Sequence, residues 1–152
     1  MRVMALDYGE RGVGVAISDE LQLTVRPLTT IRRANRNYAQ VIEHICAMIT
    51  EHEIGALIVG LPLNMDGTRG KAVAGVEHFI SDLRRNLAIP IATVDERLTS
   101  YEADQVLREM GLSLRQRRER SDEYAATIIL QDYLDGQKRQ PPSDNSSSTS
   151  SQ

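Results

Sequence analysis

The chain has 152 residues, which is a normal length for one domain and leaves no room for a separate partner domain. Its net charge of -3 excludes the strongly basic class of nucleic-acid-binding proteins, so affinity for phosphates must come from local basic clusters. A lone Cys46 and three scattered histidines exclude a disulfide framework and a zinc motif. The chain shows no signal-peptide pattern and no long apolar run, so we expect a cytoplasmic protein without a membrane span.

The N-terminal part of the chain is predicted to form three strands in a meander. The apolar run at 2–7 and the alternating segment 12–18 indicate two strands joined by a turn at 8–11. A third strand is predicted over 23–31. Pro27 favours an edge position for this strand, because proline cannot donate to a central ladder.

Helices and strands alternate in the next part of the chain. Apolar residues that recur with helical period predict amphipathic helices over 36–52 and 71–87. The continuous apolar run at 56–59 is too short for a helix and indicates a strand buried on both faces, and the segment 91–94 indicates another strand. Both strands are expected in the parallel part of the sheet.

Local capping signals predict the remaining helices. Thr99 followed by Glu102 is typical of a capping box, which opens a third helix that stops at Gly111. Ser121 or Asp122 is expected to cap a fourth helix. The predicted order is β-β-β-α-β-α-β-α plus one short helix, an α/β fold with a mixed five-stranded sheet and helices on both faces.

Two regions are predicted to differ in order. Residues 1–138 contain every predicted strand and helix and form the expected folded domain. Residues 139–152 are rich in serine and lack large apolar side chains, so they cannot bury enough surface to offset their ordering entropy. We expect a disordered tail there.

Three acidic positions are candidates for catalysis. Asp7 follows an apolar strand, and ligand sites in open α/β sheets lie at the carboxyl ends of strands. Glu96 follows another predicted strand, where alternation allows only one of Asp95 and Glu96 to face a given pocket. Asp122 is expected near Asp7, because the small Ala125 beside it would let its helix approach the sheet. A turn residue, a solvated strand exit and a helix cap are the respective structural alternatives.

A divalent cation would explain why three carboxylates lie together. Without a cation they would repel one another and raise each other's pKa values. Mg²⁺ and Mn²⁺ prefer oxygen ligands, and two such ions roughly 4 Å apart can promote phosphodiester hydrolysis. The predicted cofactor is therefore Mg²⁺ or Mn²⁺, held by Asp7, Glu96 and Asp122, with Asp95 as the second choice.

Local basic clusters and one polar loop are candidates for binding substrate phosphates. Arginines lie before Asp122, after Glu96 and at 32–36, and the loop at 61–70 follows a predicted strand end. A solvated surface loop and a rigid Pro and Gly turn are the structural alternatives. The candidate substrate-binding residues are Asn64, Thr68, Arg97, Arg115, Arg117 and Arg118.

Several motifs occur together in a fixed order. They are LDYG with GVGVA near the N-terminus, then GLPLNMDGT, then DERLTS, and finally Asp122 with the alanine pair at 125–126. In this combination the chain closely resembles the YqgF (RuvX) family of RuvC-like nucleases over residues 2–135. The motifs GLPLNMDGT and DERLTS are long enough to be specific.

The resemblance implies an RNase H-like fold and a metal-dependent endonuclease. It implies processing of the 5′ end of pre-16S ribosomal RNA in ribosome biogenesis or, alternatively, resolution of Holliday junctions. The family's acids map onto Asp7, Glu96 and Asp122, with Asp95 in a supporting role. Glu123, where a smaller residue is expected, and the Ser-rich tail depart from the family pattern.

Two further classes of function stay open at this stage. A noncatalytic nucleic-acid-binding module could keep this fold without turnover. An actin-like nucleotide-binding fold is disfavoured, because 152 residues cannot supply its two domains. The expected partner is structured RNA or branched DNA, bound by a monomer or a homodimer.

Overall fold

The structure is a computed structural model that describes residues 1–9, 11–34, 37–62, 70–95, 105 and 108–139. Its centre is a five-stranded sheet, and three long helices pack on it. The strands are β1 (Arg2–Tyr8), β2 (Gly12–Ser18), β3 (Val25–Arg32), β4 (Ile54–Leu61) and β5 (Ile91–Asp95). The helices are α1 (Tyr38–Glu51), α2 (Lys71–Asn86) and α3 (Leu114–Arg139).

The sheet is mixed, as the sequence predicts. Its spatial order is β3-β2-β1-β4-β5. The pairs β1–β2 and β2–β3 are antiparallel, and the pairs β1–β4 and β4–β5 are parallel. The predicted α/β class and the predicted edge position of β3 are therefore confirmed. The carboxyl ends of β1, β4 and β5 meet at one end of the sheet.

The two faces of the sheet bury two separate apolar clusters, so the predicted placement of helices on both faces is confirmed. Met4 and Leu6 of β1 pack with α1 and α2 on what we term the α1/α2 face. Val3 and Ala5, which alternate with them, pack with α3 on the α3 face. Each residue of β1 is thereby assigned to one face by its position.

The third strand starts later than predicted and contains a bulge. Asp19 Oδ1 accepts the backbone N–H groups of Leu23 and Thr24 at 2.8 Å each, which keeps residue 23 in a turn. The register of β3 on β2 shifts between the pair Val15–Thr29 and the pair Ala16–Pro27. Leu28 is thus the extra residue of a β-bulge at the edge of the sheet.

The elements in the middle of the chain lie close to their predicted bounds. Helix α1 begins after Asn37, whose side chain accepts the N–H of Gln40 at 2.8 Å, while the Gln40 side chain accepts the N–H of Asn37 at 3.0 Å. This capping box starts α1 two residues after the predicted residue 36. Strands β4 and β5 extend beyond the predicted apolar runs because backbone pairing continues past them.

The start of the last helix is the clearest correction to the predicted elements. Helix α3 begins at Leu114, and a capping box of Ser113 and Gln116 starts it, with hydrogen bonds of 3.2 and 2.8 Å. The prediction that Ser121 or Asp122 caps a helix is therefore wrong, because both residues lie inside α3. The arginine-rich segment before Asp122 is helical and not a loop, in keeping with the high helix propensity of arginine.

The predicted third helix falls mostly on residues that the structure does not describe. Its predicted end is observed: Gly111 has a positive φ of 78° and donates its N–H to the carbonyl of Arg108 at 2.9 Å. Residues 140–152, most of the predicted tail, also lie outside the described ranges. Among the helices that are described, none is long and apolar enough to span a bilayer.

Candidate active site

Asp7 lies near the carboxyl end of the central strand β1. It pairs with Gly14 of β2 in the antiparallel ladder. Because side chains alternate along a strand, Asp7 shares the face of Val3 and Ala5, which pack under α3. Asp7 is partly buried, so its carboxylate belongs to the α3 face at the strand end where the sequence places a site.

Helix α3 crosses directly over the residue that pairs with Asp7. A Cβ atom added to Gly14 would overlap the carbonyl group of Asp122 and would lie 2.9 Å from the backbone N of Glu123. No side chain fits at position 14, and the helix backbone occupies that space. The glycine therefore allows Asp122 to approach the strand pair that carries Asp7.

The side chain of Asp122 extends toward the turn that follows Asp7. Its Oδ1 atom lies 4.0 Å from the position that a Cβ of Gly9 would take. Directly paired residues carry their side chains on one face, and Asp7 is paired with the glycine beneath the helix. Asp7 and Asp122 thus share one face and one end of the sheet.

The environment of Asp122 favours its neutral form. Burial raises the pKa of the Asp122 carboxyl above its ordinary value, and the charges of Arg32 and Arg11 oppose that rise without cancelling it. Arg32 pairs with Gly12, so alternation places it on the α3 face together with Gly14. A half-buried carboxylate rimmed by arginines is an electrostatic setting suited to a cation and to phosphate groups.

A third arginine contacts the turn itself. Arg33 Nη1 donates a hydrogen bond to the carbonyl of Gly9 at 2.7 Å. Its guanidinium lies 4.7 Å from the centre of the Tyr8 ring, and that ring stacks on Phe79 of α2 at 4.1 Å. The turn after Asp7 is therefore held from the face opposite to the acids.

Of the pair Asp95 and Glu96, the structure describes only Asp95. Ala92 and Val94 of β5 pack with the α3 cluster, so alternation places Asp95 on the other face, where it is exposed. Asp95, the second choice as a metal ligand, is thus directed away from the face of Asp7. Glu96 lies outside the described residues, as do Asn64, Thr68 and Arg97.

The predicted phosphate-binding arginines lie on the first turns of α3. Arg115 is exposed, and Arg117 donates a hydrogen bond to the carbonyl of Leu112 at 3.0 Å. Arg118 is in the same helical segment, but its side chain is outside the described part of the chain. These residues precede Asp122 on one helix.

Glu123, the unusual neighbour of Asp122, is bound away from Asp7. Its Oε2 atom accepts a hydrogen bond from the Thr30 hydroxyl at 3.3 Å, and its Oε1 atom lies 3.7 Å from Nε of Arg120. Thr30 belongs to β3 and pairs with Gly14 on the side opposite to Asp7. Glu123 therefore anchors α3 to the edge strand.

Sequence reasoning missed the residue that brings the acids together. Gly14 was one of several small residues in an alternating strand, although a glycine inside a strand is a signal of close backbone approach. Within the described ranges no three histidine, cysteine or acidic residues form a metal-ligand cluster. Of the three candidate ligands among the described residues, Asp7 and Asp122 lie on the α3 face and Asp95 lies on the other face.

Comparisons with known proteins show the family of this chain. A family model described as "RuvX: Holliday junction resolvase" matches residues 1–136. The "Putative pre-16S rRNA nuclease" of Roseiflexus sp. is 47% identical over 137 residues, covering 90% of this chain and 96% of that protein. The protein of the same name from Natranaerobius thermophilus is 44% identical with the same two coverages.

Two solved structures share the fold. RuvC of T. thermophilus in complex with a Holliday junction substrate has a TM-score of 0.58 at 14% identity, covering 91% of this chain and 97% of RuvC. Fowlpox virus resolvase in complex with Holliday junction DNA has a TM-score of 0.55 at 12% identity, with coverages of 90% and 99%. The predicted RNase H-like fold is thereby confirmed.

Proposed function

The chain belongs to the RuvX family of nucleases, and from this premise we propose that it is a cytoplasmic, divalent-metal-dependent endonuclease that cleaves structured RNA. The proposed reaction is phosphodiester hydrolysis during processing of the 5′ end of pre-16S ribosomal RNA. The name carried by relatives at 44–47% identity supports this substrate. The observation that carries the mechanism is that Asp122 lies over Gly14, the residue paired with Asp7.

The acids at this site fit a hard divalent cation. Carboxylate oxygens are the ligands that Mg²⁺ and Mn²⁺ prefer, and a cation would offset the cost of charging the half-buried Asp122. Asp7, Glu96 and Asp122 would hold the ion, which supplies an activated water and stabilises the charge on the leaving oxygen. The opposite orientation of Asp95 favours Glu96 as the third ligand.

The arginines of this region would bind the substrate backbone. Arg11, in the turn before β2, and Arg32 of β3 act on Asp122 through their charges, and Arg115 and Arg117 precede it on α3. We assign Arg118, Arg97, Asn64 and Thr68 to the same role. Because phosphate contacts fix orientation without reading sequence, this set supports binding of a structured nucleic acid more than recognition of particular bases.

The test is cleavage by variants that keep the carboxylate volume but remove its charge. Asp7→Asn and Asp122→Asn are assayed on a pre-16S ribosomal RNA precursor with Mg²⁺, Mn²⁺ or chelator. We expect each variant to lose about 10³-fold in kcat, and wild type to lose cleavage in chelator. Asp95→Asn is the matched control, since its carboxylate lies on the other face, and it should cleave like wild type.

Two results would contradict this proposal. Equal cleavage by wild type and Asp7→Asn would exclude the catalytic role of the acid. Salt-sensitive binding that survives loss of both acids, without metal-dependent turnover, would instead identify a noncatalytic binding module.

The alternative substrate is a four-way DNA junction. The matching family model, described as a Holliday junction resolvase, favours this second candidate. The same variants are therefore assayed on four-way junctions, and a kcat/KM higher on the junction than on the RNA precursor would reassign the substrate. Resolution of a junction needs two symmetric cuts, so this outcome should coincide with a homodimer in solution.

A further inference from the structure

The turn between β1 and β2 is tied to Arg33, directly after β3, by two hydrogen bonds. Within the turn, the N–H of Gly9 donates to the carbonyl of Gly12 at 2.9 Å. The backbone N–H of Arg33 donates to the carbonyl of Arg11 at 2.9 Å, and its side chain donates to the carbonyl of Gly9 at 2.7 Å. Arg33 therefore contacts both arms of the turn.

The same guanidinium connects the turn to a helix through an aromatic stack. It lies 4.7 Å from the centre of the Tyr8 ring, and Tyr8 stacks on Phe79 at 4.1 Å with an angle of 19° between the ring planes. Phe79 is fully buried in α2. Because Tyr8 follows Asp7 in β1, its ring lies on the α1/α2 face while Asp7 lies on the α3 face.

These contacts fix the two residues that follow Asp7. Tyr8 is restrained by its ring and Gly9 by its carbonyl, and Gly9 is also the residue beside Asp122 Oδ1. A rotation of this segment would change how Asp7 faces Asp122. Mg²⁺ demands near-ideal octahedral geometry, so a small change in ligand placement weakens its binding.

We propose that Arg33 is a positioning residue that holds the turn so that Asp7 and Asp122 face the same metal site. The proposal rests on the proposed function, since it assumes that these acids bind a metal ion. Arg33 acts through Gly9 and Tyr8 and does not touch substrate or metal. An arginine suits this role because its planar group can donate to a carbonyl and lie over a ring at the same time.

Arg33 differs from the two neighbouring arginines in how it acts. The charges that lower the pKa of Asp122 are those of Arg32 and Arg11. Loss of Arg32 should therefore change the electrostatics of the site and the affinity for phosphate. Loss of Arg33 should change the placement of the acids.

The experiment measures Mn²⁺ affinity by calorimetry and amide exchange of the turn in the full chain. In Arg33→Gln we expect Mn²⁺ to bind about tenfold more weakly, as is usual when a group that orients a metal ligand is removed. The N–H of Gly9 should exchange faster, while amides of β4 keep wild-type rates. Arg26→Gln, at the exposed opposite end of β3, is the matched control and should match wild type in both measurements.

Two more variants separate positioning from loss of charge. Arg33→Lys retains a donor for the Gly9 carbonyl and should recover part of the Mn²⁺ affinity, and Tyr8→Leu, which removes the ring, should weaken Mn²⁺ binding in the same direction. On the nucleic-acid substrate, Arg33→Gln should lower kcat and leave KM near wild type. Arg32→Gln should instead raise KM.

Distinct outcomes overturn this inference and the proposed function. Wild-type Mn²⁺ affinity together with wild-type exchange at Gly9 in Arg33→Gln would overturn the positioning role. Faster amide exchange throughout the Arg33→Gln protein would also overturn it, because the effect would then not be confined to the turn. Absence of Mn²⁺ binding in wild type would overturn the proposed function. In that case unchanged exchange at Gly9 in Arg33→Gln would still refute the role of Arg33.

Discussion

The two faces of the sheet differ in the size of the strand side chains that line them. The α1/α2 face buries large residues such as Phe79, Leu6 and Ile45. The α3 face also buries large residues, among them Ile58, Ile129 and Leu130, but more of its strand residues are small. The small residues on this face are Ala5, Gly14, Ala16 and Ala56 of the strands and Ala126 of α3.

This difference in size gives the two faces different roles. The α1/α2 face contributes most to stability, and the α3 face places the acids of the site. Large buried side chains contribute most of the apolar area that stabilises the fold. Small residues contribute less area but let a helix backbone approach the strands closely. Asp7 and Asp122 both lie on that face. We therefore expect substitutions on the α1/α2 face to change the free energy of unfolding and substitutions beneath α3 to change activity.

Leu83→Ala on the α1/α2 face should have the largest effect on stability. Leu83 is fully buried in α2, so truncation leaves a cavity and should lower the free energy of unfolding by about 2–5 kcal/mol. Urea unfolding measures this loss. The kcat of the folded fraction should stay near wild type, and a loss of kcat without a loss of stability would break the comparison between the faces.

Gly14→Ala tests the α3 face with one methyl group. The added Cβ overlaps the backbone of α3, so the helix must shift, at a cost of about 1–3 kcal/mol. The folded protein should lose most of its cleavage activity, because Asp122 moves with the helix. Gly75→Ala, on α2 in open space, is the matched control and should keep full activity.

Asp122→Asn should stabilise the protein in the presence of chelator. Burial raises the pKa of Asp122 when the protein folds, so the folded state binds a proton more readily than the unfolded state. The contribution of Asp122 to stability therefore falls as the pH rises above its ordinary pKa of 3.8. At neutral pH the variant should therefore be more stable than wild type.

The gain in Asp122→Asn should depend on pH in a defined way. It should vanish below pH 3.8, where both forms of residue 122 are neutral in both states. Thermal unfolding across pH 3 to 8 measures the difference. A variant less stable than wild type at neutral pH would show that the arginines outweigh burial at this site.

The smallest expected effect comes from the contact between Glu123 and β3. Thr30→Val removes the hydroxyl that donates to Glu123 at 3.3 Å and should cost about 0.5 kcal/mol. Cleavage should be unchanged, since this contact lies on the side of Gly14 away from Asp7. A large loss of activity would mean that anchoring of α3 at the sheet edge also sets the position of Asp122.

Local patterns in the sequence predict most of the strands. They also predict the position of Asp7 at the end of one of them. The alternation in β2 and the apolar run before Asp7 depend only on neighbouring residues, so these strands and the partly buried end of β1 follow from them. The same rule of alternation predicts that Asp95 and Glu96 face opposite sides. Because Glu96 lies outside the described residues, this stays a prediction.

The features that the sequence did not reveal depend on contacts between distant segments. The start of α3 is an exception, because Ser113 followed by Gln116 is a local capping-box pattern that Ser121, followed by Tyr124, lacks. The requirement for Gly14 depends on which helix crosses it. The contact of Arg33 with Gly9 joins residues 24 positions apart, so no local pattern in either segment could predict it.

The bulge at Leu28 bears on how two copies of the protein could associate. An outer strand with regular geometry offers its unpaired N–H and C=O groups to any similar strand, which leads to sheet extension and aggregation. In β3 the bulge interrupts that row, and Pro27 beside it has no N–H to offer. Self-association through a continuous ten-stranded sheet joined at β3 is therefore disfavoured. A homodimer would then form through another surface, such as the helices, the loops or the opposite edge strand β5.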